Sequence, residues 1–174
     1  MKDLIVYGSC YGSAKRYAEA FAARTGSPVL AEEAVRNLCG VDRVILFGAL
    51  YAGGVKGLKK LLRTLPENTR LVIVTVGLAD VENLKNTAHI REALCRQVPQ
   101  PRLKGTAVFH LRGGIDYQKL NFKHRAMMAM LCRRLKSLPP EKQTDEDRAL
   151  LETYGKAVDF VDLDTLAPIA AALC

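Results

Sequence analysis

The chain has 174 residues, with 26 Lys and Arg against 18 Asp and Glu, a net charge of +8 and 49% hydrophobic residues. That length suits one domain, 1–174, with a full core, and no apolar run reaches the roughly 20 residues that a membrane-spanning helix needs. The basic residues are scattered, aromatics are few and Trp is absent, which argues against nucleic acid and for smaller anions or acidic partners. The five cysteines (Cys10, Cys39, Cys95, Cys132 and Cys174) are widely spread and form no C-x-x-C or Cys/His cluster. This pattern predicts reduced thiols in a cytoplasm and no metal site. Asp3 speaks against a signal peptide.

The first element is the most informative. Leu4 to Tyr7 reads as a buried strand. It runs through Gly8-Ser-Cys-Tyr-Gly-Ser into a helix with apolar positions Ala14, Ala18, Phe21 and Ala22. A strand, a tight loop of small residues and a helix start make an anion site, because loop amides and the helix dipole point the same way. The loop lacks G-x-x-x-x-G-K-[ST] and G-x-G-x-x-G, so neither common nucleotide fingerprint applies. A βα loop also needs small residues simply to turn, and both readings stay open at this point. Cys10 sits in the loop, where the helix dipole would lower its pKa; a small residue filling the loop is the simpler account.

Further along, Gly26-Ser-Pro ends the first helix and Pro28 to Ala31 form a short strand. Arg43 to Ala49 form a third strand, apolar enough to be buried on both faces. After the loop Leu50-Tyr-Ala-Gly-Gly, helical spacing runs through Val55, Leu58, Leu62 and Leu65 to a stop at Pro66. Leu71 to Gly77 give a fourth strand, Ile90, Leu94 and Val98 a helix, and Gly105 to Leu111 a fifth strand. Apolar strands alternating with amphipathic helices predict an α/β fold, a doubly wound parallel sheet with helices on both faces. Five strands fit the order 2-1-3-4-5, with a ligand crevice at the switch point between strands 1 and 3. The loops after strands 1, 3 and 4 then line one crevice. In it, Tyr51 beside glycines suits stacking on a flat ring, or simple packing of its own loop.

The pattern Ser9-x-x-Gly12-Ser13 after a first strand resembles the FMN phosphate loop of flavodoxins, T/S-x-T-G-x-T. Tyr11 and Ala14 replace hydroxyl residues of that pattern, which removes side-chain donors and leaves backbone donors in place. The resemblance implies FMN as cofactor. Phosphate falls to Ser9, Gly12 and Ser13, within the loop that also holds Cys10, Tyr11 and Ala14. Tyr51 and Gly53, in the loop with Leu50 and Ala52, face the ring from one side. Gly77 and Leu78, with Ala79, face it from the other. Gly113 and Gly114 border the ring or the substrate opening.

An extra segment, about 116–142, follows strand 5. With Phe47-Gly-Ala-x-Tyr-Ala-Gly, Val74-Thr-Val-Gly-Leu-Ala and the Gly113-Gly114 pair, it is similar to the flavodoxin-like protoporphyrinogen IX dehydrogenases. At 100° per residue, Leu120, Met127, Met128, Leu131, Leu135 and Leu138 share one helical face. Lys119, Lys123, Arg133 and Arg134 share an adjoining arc. This basic helix suits a lid for a flat anionic substrate, a peripheral contact of 119–136 with the inner face of a membrane near quinones, or ordinary packing on the domain. His124 falls on the apolar side as a packed histidine; His89 and His110 have no evident partners. Thr144-Asp-Glu-Asp reads as a capping box, followed by a helix through Leu150, Leu151 and Tyr154 with Gly155 as its cap. Asp164 is placed to cap a last helix around Pro168 to Leu173, which covers the first-strand side of the sheet.

Two functions follow. One is an FMN oxidoreductase or electron-transfer protein, extending by resemblance to a protoporphyrinogen dehydrogenase type, with a redox protein, quinone or other small molecule as acceptor. The other is a degenerate flavodoxin-like domain without flavin, acting as a docking or membrane-surface module.

Overall fold

A computed structural model describes residues 1–51 and 53–173; Ala52 and Cys174 lie outside it. The strands β1 (Asp3–Gly8), β2 (Val29–Ala31), β3 (Arg43–Tyr51), β5 (Arg70–Gly77) and β6 (Ala107–Arg112) form a parallel sheet. Their order is β2-β1-β3-β5-β6, with the short β4 (Gly54–Val55) paired antiparallel to the end of β3. Leaving β4 aside, this is the order 2-1-3-4-5 anticipated from the pattern.

Side chains alternate faces along each strand, so each central strand feeds two cores. Leu4 and Val6 of β1, with Val44 and Leu46 of β3, pack toward α2 (Leu58–Thr64) and α3 (Leu84–Gln97). Ile5, Ile45 and Phe47 pack toward α1 (Ser13–Thr25) and α7 (Leu166–Leu173), where Tyr17, Phe21, Leu166 and Ile169 are buried. The tail therefore lies against α1 and the first-strand face.

Several local expectations are corrected. Val55 does not start a helix: it pairs with Leu50 across a hairpin, and the helix begins at Leu58. An additional short helix, α4 (Gln100–Lys104), precedes β6, which starts at Ala107 rather than Gly105. Asp162, not Asp164, supplies the carboxylate cap, because a 3-10 turn over Leu163–Thr165 comes before α7. The capping box is present. Thr144 Oγ1 accepts from Asp147 N–H at 3.1 Å and Asp147 accepts from Thr144 N–H at 2.9 Å, which opens α6 (Asp145–Thr153). Tyr154 caps that helix, and Gly155 follows it.

Just before the extra segment, β7 (Gly114–Asp116) pairs antiparallel with β8 (Ala157–Asp159), a two-stranded sheet that the hydrophobic pattern does not announce. The inserted helix is α5 (Phe122–Lys136), so Leu120 and Leu138 flank it. Its buried stripe is Met128, Cys132 and Leu135; Met127 is exposed. The phase at which α5 packs on Leu78, Ile115 and Tyr117 is turned from the arc given by periodicity, which buries Cys132 and leaves Met127 outside. Met128 packs with Leu78, Ile115 and Tyr117 in a third small core at the C-terminal end of the sheet.

Candidate functional site

The loops after β1, β3, β5 and β6 meet at the C-terminal ends of the strands, where doubly wound sheets bind ligands. They enclose a cavity of about 560 Å³. Ser9, Cys10, Tyr11, Ser13 and Ala14 line it from the first loop, and Leu50, Tyr51 and Gly53 from the hairpin. Gly77, Leu78 and Ala79 line it after β5, and Gly113 and Gly114 after β6. Gly12 shapes the first loop without lining the cavity, and Ala52 is outside the described residues.

Gly12 has φ +95 directly before α1, a conformation that an L side chain adopts only with strain. The first intrahelical bond of α1 runs from Arg16 N–H to Gly12 C=O at 2.9 Å. The amides of Ser13, Ala14 and Lys15 therefore have no intrahelical acceptor, and no side chain caps the helix. This is the donor arrangement that an anion needs. The serines are spent locally. Ser9 Oγ accepts from Gly12 N–H at 3.0 Å, while Ser13 Oγ donates to Gly114 C=O at 3.1 Å and accepts from Gly114 N–H at 2.9 Å.

Lys56 supplies a cation at this end that the sequence reading missed. Its Nζ donates to Ser9 C=O at 3.2 Å and lies 3.7 Å from both Glu32 and Glu33. Only the β3–β4 hairpin, invisible to a helical reading of Val55, brings it there. The Cys10 thiol is not activated. Burial pushes its pKa up, against the lowering effect of Lys56.

Helix α5 covers the opening between the first loop and the hairpin. Tyr11 Oη donates to Met128 Sδ and Tyr51 Oη to Met127 Sδ, both at 3.1 Å. His124 packs edge-on against Tyr11, with ring centroids 6.0 Å apart. Burial, with the neighbouring Cys10 and Tyr51, pushes the Tyr11 pKa up to about 12. His89 is exposed, whereas His110 acquires a partner, with Nδ1 2.7 Å from Thr75 Oγ1.

At the far end, another unanticipated residue dominates. The Glu146 carboxylate accepts from Leu78 N–H and Ala79 N–H, both at 2.8 Å. Arg112 donates to Leu78 C=O at 3.1 Å. A methyl group on Gly77 would lie 2.7 Å from Leu50 Cδ1 and 2.9 Å from Glu146 Oε2, so glycine here permits close approach. Glu146 lies 68 residues from Leu78, and no local motif signals the contact.

The family model described as Flavodoxin domain matches residues 4–141. The chain belongs to the flavodoxin domain family. As a flavodoxin domain, it carries Glu146 just beyond the matched segment. Solved structures similar to it include a flavoprotein in complex with FMN from Lactobacillus acidophilus NCFM, 12% identical with a TM-score of 0.45. The likeness covers 64% of this chain and 91% of that one. Another is a point mutant of flavodoxin from Pseudomonas aeruginosa, 16% identical with a TM-score of 0.38, covering 75% and 93%. Likenesses this distant do not bear on chemistry. No curated protein matches the chain. Among the described residues, no group of three or more His, Cys, Asp or Glu is placed to hold a metal ion, and no helix is long and apolar enough to cross a membrane.

Proposed function

We propose that this flavodoxin domain binds FMN and serves as an oxidoreductase that passes electrons between a reduced donor and an organic acceptor. The observation that carries the reading is the convergence of four loops on one cavity whose near end is the open amide row of α1. Three features fit FMN. The α1 amides and Lys56 suit a phosphate. A cavity of about 560 Å³ between the hairpin and the β5 loop has room for a planar ring. Asn86 lines the same cavity with a buried Oδ1 that has no donor among the described residues, and so suits a ligand N–H. Bound FMN supplies the redox chemistry, and the protein supplies binding and orientation. The first loop and α1 hold the phosphate, with Ser9, Gly12 and Ser13 shaping the cradle. Tyr51 and Gly53 border the ring on one side, and Gly77 to Ala79 on the other.

The cavity continues between α3 and α5. Ile90, Ala93, Leu131 and Leu135 give it apolar walls, and Arg96 and Arg134 give it guanidinium groups. That chemistry suits a flat apolar molecule bearing carboxylates, and we extend the proposal to a protoporphyrinogen dehydrogenase-type reaction. A quinone, another small molecule or a redox protein would accept the electrons. Phe122 is 86% and Met130 68% exposed beside the exposed Lys123 and Arg133. This supports peripheral contact of α5 with the inner face of a membrane, for a protein residing in the cytoplasm.

The first experiment is the visible spectrum of the purified protein after FMN addition and removal of excess. A retained flavin spectrum is expected, and a colourless protein would sink the reading. Porphyrinogen oxidation by the loaded protein, with quinone or dye, tests the finer claim. A second reading, a flavin-free docking module, is favoured by one observation: the Ser9 and Ser13 hydroxyls and the Leu78 and Ala79 amides already have partners within the chain. A colourless protein whose α5 still binds anionic vesicles would select it.

A further inference from the structure

We infer that Glu146 is a displaceable latch, holding in the unloaded protein the two backbone donors that the carbonyl edge of the FMN ring takes on binding. The inference rests on the proposed cofactor. Three acidic residues open α6, and two of them serve the helix itself. Asp145 pairs with Arg148 at 3.0 Å, and Asp147 completes the capping box with Thr144. Glu146 alone reaches out of the helix, to Leu78 N–H and Ala79 N–H. The start of α6 is thus secured without the Glu146 carboxylate, and the contact can open without unravelling the helix.

The carboxylate also occupies a place made for a ligand. Glu146, Leu78, Ala79 and Asn86 all line the same cavity. Asn86 is 5% exposed; its Nδ2 donates to Asp80 C=O at 2.6 Å, and its Oδ1 is left without a donor. Two backbone N–H donors and one orphaned acceptor lining one cavity are the groups that an imide edge, carbonyl, N–H, carbonyl, such as the pyrimidine part of a flavin presents, would pair with. A carboxylate satisfies the donors but gives Asn86 nothing. A ligand that satisfies all three has an advantage over the latch. Burial pushes the Glu146 pKa up, against the lowering effect of the two amides, so its charged form is held at a cost that release to water relieves.

The test is a flavin-fluorescence titration with FMN of the wild type, Glu146→Ala and Glu146→Gln, each checked for fold by circular dichroism. A latch closed about nine times in ten makes Glu146→Ala bind about tenfold more tightly than wild type, with Glu146→Gln in between. Tighter binding by both variants, with the order Glu146→Ala, Glu146→Gln, wild type, supports the latch. If Glu146→Ala does not fold, Glu146→Gln, which keeps the volume, decides by the same direction. Weaker binding, or a change within about twofold, would make Glu146 a permanent brace of the β5 loop and overturn the latch alone. If no protein binds FMN, the cofactor reading falls and the latch with it.

Discussion

The two ends of the cavity treat backbone donors in opposite ways. At the α1 end, the amides of Ser13 to Lys15 lack intrahelical acceptors and no side chain caps them. At the β5 end, Leu78 and Ala79 donate to Glu146. The difference does not follow from burial, since Ser13 and Ala14 are 8% and 1% exposed and Leu78 and Ala79 8% and 6%. It follows from what reaches each end: the Glu146 side chain of α6 meets the β5 amides, while no side chain caps α1. Buried amides demand a partner, so one end of the cavity is filled from within the chain and the other is left for a ligand.

The largest expected effect bears on the helix that covers both ends. Met128→Ala removes a side chain 2% exposed that packs on Leu78 and accepts from Tyr11. It should cost about 3 kcal/mol, read as a fall in the urea midpoint. No loss would mean that α5 is not anchored there. Next comes Gly12→Val, which forces a β-branched residue to φ +95 in open space. About 2 kcal/mol of strain corresponds to roughly 30-fold weaker FMN binding, with riboflavin less affected. Equal loss for both ligands would detach Gly12 from the phosphate end.

Lys56→Gln should weaken FMN about tenfold, or about 1.4 kcal/mol, leave riboflavin unchanged and flatten the salt dependence. A salt dependence that persists would assign the charge effect elsewhere. The smallest effect lies away from the cavity. Burial, then Arg91, lowers the His110 pKa from 6.5 to about 4. The unfolded chain therefore takes up a proton on acidification before the folded chain does, so stability is full above about pH 6.5 and is lost between there and pH 4. Because the ring is partly solvated, the loss should be about 1 kcal/mol rather than the full linkage value. His110→Gln should remove that slope from urea titrations across pH.

Much of the fold was legible. Continuous apolar strands separated by 3.6-periodic segments allow little besides a doubly wound sheet, and Gly12-Ser13 between strand and helix marks the anion end. Thr144 and Asp147 signalled their helix because a capping box is local. The corrected elements are cases where the hydrophobic period did not choose the conformation. Val55 fits a helical period but is drawn into a hairpin with Leu50. Met127 falls on the apolar arc that periodicity gives, yet the seating of α5 buries Cys132 and leaves Met127 at the rim.

By itself, then, the sequence determined the five parallel strands of the main sheet, their order and the small-residue loop before α1, since these follow from hydrophobic period and backbone freedom within a few neighbouring residues. Only the tertiary structure decided the chemistry around that loop: Lys56 beside Ser9, the Tyr11 and Tyr51 hydroxyls on α5, and Glu146 on the β5 amides. Hydrogen bonds and ion pairs act over about 3 Å in space whatever the separation along the chain, and no pattern of neighbouring residues records which distant side chain will fill a buried donor.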